Sequence, residues 1–102
     1  MHWWARQQLR SKSPQTRREA VEKLAATPTD GAVVEILALL QDPAAEVRRA
    51  VFLALGQLRT GGLLSTVISG LRDTASEVRE EAIRTLMVLG DTPARRFCPR
   101  GG

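Results

Sequence analysis

Apolar side chains recur along this chain at helical spacing. Val33, Ile36, Leu37 and Leu40 fall at i, i+3, i+4 and i+7, the pattern of one buried helical stripe. Val47, Ala50, Val51, Ala54, Leu55 and Leu58 mark a second stripe after a short break. No window alternates at period two, so no strand is predicted. The break reads Gln41-Asp42-Pro43. Asp42 suits an N-cap, and Pro43 suits the first helical position, where a missing N–H costs nothing. Ser13-Pro14 repeats the signal upstream. Thr74 with Glu77 spells a capping box downstream. Thr27-Pro28-Thr29-Asp30-Gly31 and Arg59-Thr60-Gly61-Gly62 are turn-rich separators.

The whole pattern returns every 31 residues. Leu9, Leu40 and Leu71 fall in register, as do Arg17, Arg48 and Arg79, and Leu24, Leu55 and Leu86. Residues 32–62 and 63–93 share eight identities, among them Asp42/Asp73, Glu46/Glu77, Val47/Val78 and Arg48/Arg79. Chance would supply about two. The first copy diverges, with Ser11 in place of the aspartate and Thr16 in place of the valine. A two-helix hairpin cannot bury its apolar face alone, whereas stacked hairpins share one continuous core. The chain therefore reads as all-α, with units at about 1–30, 31–61 and 62–91. Three units are about the minimum for stability.

Composition agrees with one folded domain. The chain has 102 residues, 43% hydrophobic and 25% charged, near the globular average. No apolar run reaches the ~20 residues that span a bilayer. The start, Met1-His2-Trp3-Trp4, lacks the apolar stretch of a secretory signal, so a cytoplasmic location is the expectation. The net charge is +4, unevenly spread. Residues 1–23 carry +4, residues 24–91 carry −3 and residues 92–102 carry +3. Basic ends around an acidic middle do not make the continuous stripe that nucleic acid requires.

The segments Leu40-Gln41-Asp42-Pro43-Ala44-Ala45-Glu46-Val47-Arg48 and Leu71-Arg72-Asp73-Thr74-Ala75-Ser76-Glu77-Val78-Arg79 resemble HEAT-like repeats. The likeness is to the short type with a period near 31, found in bacterial arrays and in phycobilin-lyase-related proteins. The resemblance implies a right-handed α–α superhelix, a HEAT-like solenoid of three helical hairpins. It also implies a ladder between adjacent units, in which Asp42, Arg48, Asp73, Arg79 and Arg17 are structural. Arg17 has no aspartate in its own unit.

Equipment for catalysis is missing from the sequence. One histidine, His2, and one cysteine, Cys98, stand at opposite ends, which gives no metal cluster and no internal disulfide. The repeated His-Glu pairs of HEAT-like hydroxylases and the basic aromatic groove of HEAT-like DNA glycosylases have no counterpart here. No cofactor is expected, and the chain reads as a non-enzyme: a protein-interaction or assembly scaffold. An accessory, lyase-like chaperone subunit and weak nucleic-acid binding through the basic ends are the alternatives.

In such arrays the second helices line the inner face. Outside their apolar stripe lie Arg18, Arg49 and Glu80, and Glu22, Leu53 and Arg84. These form the candidate partner surface, with Leu53 as anchor. Trp3 aligns with Val34, taken as a core position. Trp4 aligns with Glu35 and Thr66, and is either a cap or a contact. The expected partner is another protein, with neither membrane nor nucleic acid favoured. Leu86-Met87-Val88-Leu89 points apolar groups in all directions, which suggests end-to-end self-association or membership of a longer array. The tail 92–102 does not continue the repeat, and its composition predicts disorder.

Overall fold

The computed structural model describes residues 3–27, 30–58 and 64–90. The expected tail with Cys98, the Met1-His2 start, Pro28-Thr29 and the Arg59–Gly62 separator lie outside those residues. Within them stand six α-helices and no strand: α1 (Trp3–Leu9), α2 (Pro14–Ala25), α3 (Asp30–Leu37), α4 (Ala45–Leu58), α5 (Leu64–Ser69) and α6 (Ser76–Gly90). A 3₁₀ turn, Gly70–Arg72, extends α5.

The helices pair as hairpins. The second helices, α2, α4 and α6, are the long ones. α4 lies between α2 and α6 and packs on both. α1 packs on α2, α5 packs on α6, and α3 touches both α2 and α4. The core follows that stack. Val21 and Leu24 from α2, Val47, Val51 and Leu55 from α4, and Val78 from α6 are fully buried. Ile36 and Val67 come in from the first helices. Each such side chain contributes about 1.5–3 kcal/mol relative to exposure. Ala20, Ala50, Ala54 and Ala82 are buried between them, and their small size lets the helices approach closely.

The helix starts differ from the simple cap reading. α2 behaves as expected: Ser13 is the N-cap, Pro14 sits in the first turn, and the Ser13 hydroxyl accepts from the Thr16 N–H. α4, however, begins at Ala45, so Pro43 lies before the helix. Asp42 accepts the Ala44 N–H through Oδ1 at 2.9 Å, an Asx turn that leads the chain into the helix. Asp73 does the same for the Ala75 N–H at 2.9 Å. The turn before α6 is thus organised by Asp73 rather than by Thr74.

The first helices also depart from the predicted stripe. α3 ends at Leu37, so Leu40 falls in the turn beyond it. Ala32 and Ile36 are the fully buried positions of α3, with Val33 and Leu37 half-buried. Val34, expected in the core, is 66% exposed. Its register with Trp3 therefore gives no reason to bury that tryptophan, whose side chain lies outside the described residues.

Candidate functional site

The three turns between first and second helices share one geometry. Asp42 and Asp73 each accept an N–H two residues on. Ser11 does likewise, its hydroxyl accepting from the Ser13 N–H at 3.1 Å. An arginine from each second helix reaches back to its own turn. Nη1 of Arg17, Arg48 and Arg79 donates to the carbonyls of Ser11, Asp42 and Asp73 at 2.6, 2.6 and 2.7 Å.

The other two nitrogens cross to the next unit. Arg17 Nε and Nη2 donate to the two carboxylate oxygens of Asp42 at 2.7 and 3.0 Å. Arg48 does the same to Asp73 at 2.8 and 3.0 Å. Fork-to-fork bonding of this kind is the strong form of the arginine–carboxylate contact. These pairs are largely withdrawn from solvent. The hydrogen bond from Arg48 holds Asp73 below the ordinary carboxylate range, with the Ala75 N–H adding to the effect against the cost of burial. The same bonds raise Arg48 and Arg17 above the usual guanidinium value. Arg79 keeps the backbone half of the arrangement, but among the described residues it meets no carboxylate.

A second constellation lies along the other side of the second helices. Leu53, 40% exposed, divides two shallow grooves. One, of about 270 Å³, is lined by Arg18, Glu22, Glu46, Arg49, Ala50 and Leu53. The other, of about 480 Å³, is lined by Leu53, Gly56, Gln57, Glu81, Arg84, Thr85 and Val88. The charges pair across the face. Arg18 bonds Glu22 at 2.7 Å and approaches Glu46 at 3.5 Å. Arg49 and Arg84 converge on Glu81 Oε1 at 3.3 and 3.4 Å. Five of the six expected face residues thus line these grooves. Glu80 is exposed on α6 and lines neither.

Glu81 was not anticipated. Its side chain is 5% exposed while Arg49 and Arg84 stay mostly in solvent. The available signal was its register with Ala50, a buried position. Trp4 is half-buried against the core cluster, with Lys23 Nζ 5.8 Å from its ring centroid, a cation–π distance. No group of three or more His, Cys, Asp or Glu among the described residues is arranged to hold a metal. No helix there is long and apolar enough to cross a membrane.

No curated protein matches the chain. A family model for HEAT repeats matches residues 4–87, which takes in all three hairpins and both rungs of the ladder. Stacked hairpins with long second helices and inter-unit arginine–aspartate pairs agree with that match, and the chain belongs to the HEAT repeat family.

Proposed function

We propose that this chain is a non-catalytic interaction module of the cytoplasm, whose second-helix face receives a segment of a partner protein. Residues 1–91 form the module, in units of about 1–30, 31–61 and 62–91. HEAT repeats are in general protein-interaction scaffolds. The observation that carries the reading is Leu53, an exposed leucine seated between two grooves and ringed by ion pairs. An apolar centre with a polar rim is the usual anatomy of a protein interface.

The internal pairing of this face supports a protein over a nucleic acid. Arg18, Arg49 and Arg84 all have carboxylates in reach. A surface that neutralises its own arginines offers little to phosphates. Arg17 and Arg48, by the same reasoning, are structural and not ligand-binding.

Leu53→Glu tests this directly. The substitution should leave the far-ultraviolet circular dichroism intact and change stability by less than about 0.5 kcal/mol, as surface changes do. Affinity capture from native lysate should then lose the partners that the unaltered chain retains at both low and high salt. Retention of every partner by the variant would remove the assignment.

A further inference from the structure

The groove of about 480 Å³ between α4 and α6 has buried Gly56 and Thr85 as its floor, and the more exposed Leu53 and Val88 among its walls. The packing of the helices does not demand that glycine. A Cβ on Gly56 would meet its nearest atom, Thr85 Cγ2, at 3.5 Å, an ordinary van der Waals contact. Gly70 has no such room, since a Cβ there would fall 2.6 Å from Phe52 Cζ. Gly56 lies inside α4, where glycine is less favourable than alanine. Its register mates are Ala25 and Met87, so the repeat does not require it either. What the missing side chain leaves is depth in the groove.

Hydrogen-bond donors stand beside that depth. Arg49 and Arg84 share Glu81 Oε1, each through a single nitrogen, at 3.3 and 3.4 Å. Their side chains are 52% and 61% exposed. Among the described residues their remaining N–H groups bind no carboxylate, and exposed Glu80 pairs with neither. Two cations thus bond to one buried anion. Arg18, on the α2 side of the face, has the opposite balance, with Glu22 and Glu46 both in reach. The unshared donors therefore lie on the α4–α6 side. Along α4, Arg49 and Leu53 are one turn apart, about 6 Å.

On the reading that the second-helix face is the interaction surface, we propose that the α4–α6 groove receives a helix of the partner protein. That helix seats an aliphatic side chain over Gly56 and, one turn away, sets a carboxylate between Arg49 and Arg84. Side chains four apart on a helix share a face, which matches the step from Arg49 to Leu53. Two guanidiniums on a single carboxylate suit one added anion and not a run of phosphates. A basic side chain at that point would meet like charge.

Full-length, isotope-labelled chain is titrated with capped alanine–glutamine helices of about 15 residues. Each carries one leucine and one glutamate four positions apart, in one order or the other. At least one order should shift the amide resonances of Leu53, Gly56, Thr85 and Val88. Changing the peptide's glutamate to lysine, or its leucine to alanine, should abolish the shifts. Arg84→Gln should weaken binding about threefold. Gly56→Ala should raise the urea midpoint, because the helix gains, and yet weaken the peptide about threefold or more. Val88→Gln, on the exposed wall, should weaken it with the circular dichroism unchanged. No shift with either order, indifference to the glutamate, or a lower urea midpoint for Gly56→Ala would each overturn the proposal. Native partners lost on Leu53→Glu while no peptide enters the groove would overturn it too, and leave the interaction face standing.

Discussion

The Thr85 hydroxyl lies 2.7 Å from the Phe52 carbonyl, and so ties α6 to α4 inside the stack. The Glu81 carbonyl of its own helix is also in reach at 2.9 Å. A hydroxyl has one proton, so the two carbonyls share it. The bond across to α4 is the one that a free-standing helix would not make.

Thr85→Val keeps the shape and removes the proton. Thr85 is buried, so water cannot replace what is lost. The expected cost is about 1–2 kcal/mol in urea unfolding. Thr85→Ser should recover most of it. Equal stability of the valine variant would mean that packing alone sets the approach of the two helices.

Arg48 joins three oxygens of two units, the two of the Asp73 carboxylate and the Asp42 carbonyl. Arg48→Ala strips the carboxylate of Asp73 and the carbonyl of Asp42 together. A loss of about 2–4 kcal/mol is expected, since a withdrawn charge is left without its partner. Domains of this size hold only about 5–15 kcal/mol in all, so the midpoint of urea unfolding should fall steeply. Arg48→Lys should remain close to the alanine variant. Arg48→Met combined with Asp73→Asn should cost less than the two changes summed, which a double-mutant cycle measures. A loss under about 0.5 kcal/mol for Arg48→Ala would free the ladder for some other role.

Asp73 also gives the fold an acid limit. Its folded pKa lies below the ordinary value, near 3.9 in an unfolded chain. Above that value both states are ionised and the group adds no slope. Below it the unfolded chain takes up the proton first, so stability falls with pH until the folded carboxyl is protonated too. Asp73→Asn should lose stability at neutral pH and flatten the decline below about pH 4. Urea midpoints of both proteins from neutral pH down to pH 3 measure it. Parallel curves would show that the carboxylate gains nothing from the Arg48 fork.

The long second helices were legible in the sequence because they run 12, 14 and 15 residues. Several turns of period 3.6 fix the phase of a stripe. The first helices have 7, 8 and 6 residues. Two turns leave the phase loose, which is why Val34 emerges in solvent and Leu40 lies past the helix end. Glu81 illustrates a different limit. Its cue in the sequence is its register with Ala50, a buried position. Its carboxylate is paired by Arg84 of its own helix and by Arg49, which belongs to the neighbouring unit. The exchange of aspartates between units has the same character. Arg17 and Arg48 each take a backbone carbonyl from their own turn and a carboxylate from the next, a division invisible within one repeat.

The guanidinium groups of Arg17 and Arg48 act as gauges of fixed length. Each is pinned at one end to its own turn and at the other to the following one, so the pitch of the array is set by the dimensions of a rigid planar group. The linkers from α2 to α3 and from α4 to α5 differ in length, yet the two rungs keep one geometry, so the step between hairpins is held at the turns.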